Sequence, residues 1–282
     1  MSQSLYDTAL WKQPPLKRFE KNAIPSMGSN GLKNSISVWS DLKKTPEEIQ
    51  LKHPAMFPQM LAERLIDTFL QPEGELVFDP FAGSGTTMLA AQAKNVRGVG
   101  LELSPEFVEI SRTRISQRSE KNDCDFNSEI HRLQAANMEE VLAEESVDLC
   151  ITSPPYWNIL NQRRTADFKK TRHYGNLTGD LGTIEDYTEF LSVLCDVFEK
   201  VYRILKPSCF CCIVVMDLRK KSLFYPLHSD LATRLQKIGY KWDDLVVWNR
   251  QADYNNLRPL GYPSVFRINK VHEYILLMQK PG

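Results

Sequence analysis

From residue 60 onward, short apolar runs alternate with amphipathic stretches at a regular spacing. Runs near 75 to 78, 97 to 101, 129 to 133, 147 to 151, 209 to 216, 241 to 249 and 273 to 279 are bounded by turn residues, and they predict buried strands. Helical patterns fall near 86 to 94, 105 to 118, 138 to 143, 184 to 205 and 227 to 238. A further one at 60 to 70 puts Leu61, Leu65, Ile66 and Phe69 on one side. Thr45-Pro46-Glu47-Glu48 marks a helix start, with Thr45 as cap, Pro46 in the first turn and Glu48 completing a capping box. Ser104-Pro105 caps the helix near 105, and Thr183, with Asp186 three residues on, caps the one near 184. This alternation predicts an α/β fold, a mainly parallel sheet with helices on both faces. The last two strands lack a helix between them and are expected to pair as an antiparallel hairpin. No internal repeat is visible.

Residues 1–44 break the pattern. They are polar, with Pro14, Pro15 and Pro25 and a Gly-Ser-Asn-Gly stretch at 28–31, and read as an N-terminal arm preceding a catalytic domain at 45–282. At 282 residues, 42% hydrophobic and 25% charged, the chain is large enough for a full α/β core. Formal net charge is zero, so any contact with nucleic acid must come from local basic clusters. Six cysteines occur without a CxxC pair or a Cys/His cluster of zinc-ligand spacing; they read as thiols in a reducing compartment, and no metal site is expected. With no signal-peptide pattern and no apolar run of membrane-span length, the chain is expected in the cytoplasm.

Chemistry concentrates at the ends of the predicted strands. The run 76 to 78 leads into Asp79-Pro80-Phe81-Ala82-Gly83-Ser84-Gly85-Thr86-Thr87, whose small residues permit a tight strand-to-helix turn and close approach to a ligand. It is not GxGxxG, and no Lys follows as in a phosphate-binding Walker loop. Glu102 stands at the tip of the next strand, where nucleoside-binding sheets grip ribose hydroxyls. After 147 to 151 comes Thr152-Ser153-Pro154-Pro155-Tyr156-Trp157. The prolines fix φ and remove two N–H donors, leaving carbonyls and the Ser153 hydroxyl as acceptors beside an aromatic face. Such a corner suits the exocyclic amine of a nucleobase.

Together with 53–58 (His53-Pro54-Ala55-Met56-Phe57-Pro58) and the closing Val271-His272-Glu273-Tyr274-Ile275-Leu276, these segments resemble the S-adenosylmethionine-dependent amino-methyltransferases of DNA, over roughly residues 53–280. Ser-Pro-Pro-Tyr, with Thr before and Trp after, is similar to the cytosine-N4 form; Asp-Pro-Pro-Tyr is the commoner adenine form. The resemblance implies a Rossmann-like methyltransferase with a seven-stranded, mainly parallel sheet and an antiparallel edge hairpin. It implies S-adenosyl-L-methionine as cofactor, held by His53, Asp79, Phe81, Gly83, Gly85, Thr86, Thr87 and Glu102. Ser153, Pro154, Pro155 and Tyr156 are then the catalytic set acting on a base extruded from DNA, with Trp157 as helper or wall. Asn137 stands where an acidic residue often meets the adenine amine, which puts that contact in doubt, and Asp217 and Glu273 read as structural.

The motif order, cofactor half before catalytic half, is the reverse of that commonest among Ser-Pro-Pro-Tyr enzymes. No large target-recognition insert is present, so recognition is expected from loops near 158–178, with Arg163, Arg164, Lys169 and Arg172, and near 250–270, with Arg258. DNA is the expected partner, with a cognate restriction endonuclease as a candidate second one, and the protein is expected as monomer or homodimer. Adenine-N6 methylation, methylation of RNA or of a protein amide, and a non-catalytic DNA-binding subunit are the alternatives; the last usually loses one of the two motifs that this chain keeps.

Overall fold

The structure is a computed structural model that describes residues 33–51, 56–121, 128–159, 177, 179–220, 222–254 and 264–282. The chain divides into two units, residues 1–36 and 37–282. Of the first, residues 33–36 are described, and they are largely exposed.

In chain order the second unit contains β1 (Val38–Trp39), α1 (Pro46–Gln50), α2 (Gln59–Phe69), β2 (Leu76–Asp79), α3 (Thr86–Ala93), β3 (Arg97–Glu102), α4 (Pro105–Lys121), β4 (Glu129–Arg132), β5 (Val147–Thr152), α5 (Tyr187–Ile204), β6 (Leu205–Val215), β7 (Leu218–Lys220), β8 (Leu223–Tyr225), α6 (Leu227–Ile238), β9 (Lys241–Asn249) and β10 (His272–Gln279). Eight strands form one sheet in the order β1-β9-β10-β6-β5-β2-β3-β4. The run from β6 to β4 is parallel, whereas β10 is antiparallel to both β6 and β9. This is the expected Rossmann-like arrangement with eight strands instead of seven. The extra strand is β1, from the stretch read as a polar arm: Val247 N–H donates to Ser37 O at 2.8 Å, and Trp39 is buried. With β1 outside β9, the antiparallel pair β9–β10 is not the sheet edge. The small β7–β8 hairpin, a separate two-stranded sheet, also went unpredicted.

Both faces of the sheet are covered. On one, Phe190, Leu194, Phe198 and Val201 of α5 and Leu231 and Leu235 of α6 pack on Phe78, Cys211 and Ile213. On the other, Leu61, Leu65 and Ile66 of α2 meet Val77, Leu149, Ile151 and Val214. Cys150, Cys209, Cys211 and Cys212 are core residues, and Cys124 lies outside the described ones. The capping box at α1 forms: Glu48 N–H donates to Thr45 Oγ1 at 3.2 Å and Thr45 N–H to Glu48 Oε2 at 2.8 Å. Glu48 Oε1 also accepts from Gln59 N–H, tying α1 to the start of α2. Helix α5 starts later than expected, because Asp186 rather than Thr183 accepts from the N-terminal amide of Glu189, at 2.8 Å. Near 138 the chain makes a 3-10 turn, Ala135–Glu140, broken at Asn137 (φ −108°, ψ 20°), instead of an α-helix. Among the described residues no helix is long and apolar enough to cross a membrane.

Candidate functional site

Three neighbouring strands, β5, β2 and β3, end at the same edge of the sheet with Thr152, Asp79 and Glu102. Ligands of open α/β sheets bind at the carboxyl ends of the strands, and a cleft opens there. Counted out to its mouth it is about 920 Å³. Its walls come from the loop after β2 (Phe81, Ala82, Gly83), from Glu102 and Leu103, from Leu133 to Ala135, and from Ser153 to Tyr156, with Met56 and Phe57 alongside. The nucleoside motif and the Pro-Pro corner thus face one void.

The loop after β2 is wired to its surroundings. Gly83 (φ 54°) and Gly85 (φ 78°) occupy left-handed backbone, and a Cβ on Gly85 would come within 3.0 Å of the Ser111 side chain. Ser111 Oγ donates to Gly83 O at 2.8 Å, and the half-buried Arg114 guanidinium donates to Ser84 O at 2.5 Å. Glu102 is fixed by two backbone amides: Oε2 accepts from Gly83 N–H at 2.9 Å and Oε1 from Ser104 N–H at 2.7 Å. Burial raises its pKa, while the amides of Ser104, Gly83 and Leu103 act in the opposite direction. A carboxylate has about four acceptor sites, so these amides do not exhaust it and capacity remains for hydroxyl donors.

Asp79, almost fully buried, turns inward. Its Oδ1 accepts from Phe81 N–H at 3.0 Å and from Thr152 Oγ1 at 2.6 Å, and its Oδ2 from Thr87 Oγ1 at 2.6 Å. Burial pushes the carboxyl up to about 6, against those three donors. One side chain therefore holds the β2 loop, the start of α3 and the last residue of β5.

On the other wall, Ser153 Oγ lies 3.0 Å from Tyr156 Oη, and that hydroxyl donates to Glu273 Oε2 of β10 at 2.8 Å. Glu273 Oε1 is bound by Arg250 Nη1, and Arg250 Nε donates to Asp253 Oδ2 at 3.1 Å. Burial, then the Glu273 charge, raise the Tyr156 pKa well above that of free tyrosine.

Of the expected cofactor residues, Asp79, Phe81, Gly83, Thr86 and Glu102 line the cleft. Gly85 and Thr87 do not; one shapes the turn against Ser111 and the other serves Asp79. All four of Ser153, Pro154, Pro155 and Tyr156 line it. Trp157 does not: it is buried, with φ at +48°, and packs edge-on against Tyr187 and Tyr225 at 5.3 and 5.0 Å while Lys220 Nζ lies 4.0 Å from its ring centroid. It anchors the corner instead of facing a ligand. Asn137 Nδ2 is spent on Glu140 Oε1 at 2.9 Å, and Gln134, which sequence reasoning passed over, lines the cleft in that region. His53, Arg163, Arg164, Lys169, Arg172 and Arg258 lie outside the described residues.

A family model for DNA methylases, one that joins N6 and N4 enzymes, matches residues 6–113 and 147–282, both halves that meet at the cleft. The chain belongs to the DNA methylase family. The orphan methyltransferase M.BamHII of Bacillus amyloliquefaciens is 44% identical over 73 residues, 26% of this methylase-family chain and 27% of the relative. The type II methyltransferase M2.DpnII of Streptococcus pneumoniae is 36% identical over 119 residues, 41% and 44% respectively. The matches thus span less than half the length of these relatives. TrmN of Thermus thermophilus, at 14% identity and a TM-score of 0.52, covers 82% of this chain and 52% of its own, a likeness of fold.

Proposed function

We propose that this DNA methylase transfers a methyl group from S-adenosyl-L-methionine to the exocyclic N4 of a cytosine turned out of DNA, as part of a restriction-modification system. The observation that carries the reading is the shared lining: Glu102 and Ser153, on opposite sides of β2, face the same void. The residues fit the cofactor. Glu102 offers a carboxylate oxygen to each of two adjacent ribose hydroxyls, Phe81 and Leu103 give apolar walls, and Thr86 offers a hydroxyl for the amino-acid end.

When bound, S-adenosylmethionine supplies an electrophilic methyl on a sulfonium. Ser153 Oγ and the Pro154 carbonyl accept the two hydrogens of the base amine. Fixing both hydrogens opposes delocalisation of the nitrogen lone pair into the ring and leaves it directed away from the Pro-Pro corner. The Tyr156 ring, held at its hydroxyl by Glu273, offers a stacking face to the base. The nitrogen–carbon bond would form as the sulfur–carbon bond breaks, leaving a neutral thioether, and the proton displaced from N4 would pass to Ser153 Oγ and on to water; no side chain has to form a covalent bond, so orientation supplies most of the acceleration. Extrusion of the base and its reading in sequence context belong to the loops near 158–178 and 250–270; Arg250 is spent on Glu273 and Asp253, so phosphate contacts fall to the other cations there.

Nucleoside analysis of DNA from a methylation-free bacterial host expressing only this chain tests the reading. N4-methylcytosine is expected; N6-methyladenine would reassign the base, and unmodified DNA would overturn the proposal. Glu102→Ala should weaken S-adenosylmethionine binding by about 1–3 kcal/mol, the scale for leaving hydrogen-bonding partners unpaired. Calorimetric titration giving an unaltered Kd would remove Glu102 from the cofactor site.

A further inference from the structure

Glu273 does not line the cleft, yet it is buried directly behind a residue that does. Its carboxylate is held by Arg250, and Lys44 adds a second nearby cation, itself lowered in pKa mainly by burial. Among the described residues, Asp253 and Glu48 are the other charged groups that act on Lys44. An ionised carboxylate can only accept, so the hydrogen between Tyr156 and Glu273 belongs to Tyr156. A phenol has one hydrogen. With it committed to Glu273, Tyr156 Oη can only accept from Ser153, and the Ser153 hydrogen must point at Tyr156 across the 3.0 Å contact. Both lone pairs of Ser153 Oγ are then free to face the cleft.

We infer that the Arg250–Glu273 pair, acting through Tyr156, fixes the rotor of the Ser153 hydroxyl and so makes Ser153 a hydrogen-bond acceptor toward the substrate amine. The inference rests on the reading of Ser153 given above. Without the fixed hydrogen a serine hydroxyl presents a donor as readily as an acceptor, and a donor aimed at an amine hydrogen repels it. Glu273 and Arg250 are thus positioning residues, supplied by β10 and the end of β9 to a corner built on β5.

Glu273→Gln inverts the polarity. Arg250 takes the amide oxygen, which leaves the NH2 group against Tyr156. Tyr156 must then accept from it and turn its own hydrogen to Ser153, whose hydrogen is driven into the cleft. Single-turnover methylation at saturating S-adenosylmethionine and DNA should slow about 30-fold, less than the roughly 10²–10³ for losing a pre-oriented hydrogen bond outright because the Ser153 hydroxyl is misdirected and not removed, with Kd for both ligands changed by less than about threefold.

Tyr156→Phe keeps the ring and cuts the link, so it should slow the same step about tenfold, and Glu273→Gln should then add nothing in that background. A Glu273 that only braced the fold would lower the rate by the same factor in both backgrounds. That additive result overturns the inference, as does wild-type turnover by Tyr156→Phe, which can be read even if Glu273→Gln fails to fold. Failure of the unaltered protein to methylate DNA, by contrast, overturns the functional reading itself.

Discussion

Ser153→Ala is expected to slow methyl transfer about 10³-fold, some 4 kcal/mol of activation free energy, while leaving cofactor affinity within about twofold of normal. The proposed cofactor side of the cleft does not depend on Ser153: Gly83 and Ser104 hold Glu102 by hydrogen bonds that do not involve it. Tyr156 also keeps its place, because its hydroxyl still donates to Glu273. What disappears is one of the two acceptors proposed for the amine hydrogens, an interaction expected to matter chiefly as the nitrogen begins to attack. Rapid-quench measurement of a single turnover, paired with calorimetric binding of S-adenosylmethionine, separates the two effects. Near-normal transfer would remove Ser153 from the chemistry.

Asp79 carries the second large effect, on stability. Its alanine variant leaves Phe81 N–H and the Thr87 and Thr152 hydroxyls without their acceptor, and both threonines are buried. Each orphaned donor costs about 1–3 kcal/mol, partly offset by removal of a buried charge, so Asp79→Ala should unfold about 3 kcal/mol more easily. Asp79→Asn should behave differently. The native carboxyl is raised from 3.8 to about 6, so the folded state holds its proton more tightly than the unfolded chain does. Its contribution is therefore most favourable below pH 3.8 and declines as pH rises to about 6, by on the order of 3 kcal/mol. The amide removes that titration, and urea melts from pH 4 to pH 7 should show a shallower fall for Asp79→Asn than for the unaltered protein. Parallel slopes would show that Asp79 is not ionising in that window.

The centre of the sheet was legible in the sequence because β2, β5 and the later part of β6 are buried on both faces and read as apolar runs between helical periods. Val38–Trp39 was not: two residues carry no period, and polar neighbours hide the indole that fills the core beside β9. The start of α5 was ambiguous because Thr183 and Asp186 each precede an acidic residue by three positions; only the backbone path shows that Thr183 ends the preceding 3-10 turn, its hydroxyl donating to Asp180 O. In the site, Ser153 and Glu102 stood out because they sit at strand ends. Thr87 looked like a ligand contact by adjacency alone, but helical geometry turns it under the loop to Asp79. Trp157 looked like part of a base-binding face, yet its positive φ swings the ring into Tyr187 and Tyr225. The contact between Tyr156 and Glu273 joins residues 117 apart and depends on where β10 lies in the sheet, which no local pattern encodes.

Asp79 on β2 and Thr152 on β5 are joined directly at 2.6 Å, and the two strands are neighbours in the sheet. The spacing between the loop that follows β2 and the Pro-Pro corner that follows β5, the parts proposed to hold methyl donor and base, is thereby set by one inter-strand step, about 4.8 Å, together with its hydrogen bond. The segments that would meet DNA can lengthen, shorten or change charge without altering that reach. A methylase built this way can acquire a new recognition site by remodelling its periphery while the geometry of alkyl transfer is inherited unaltered.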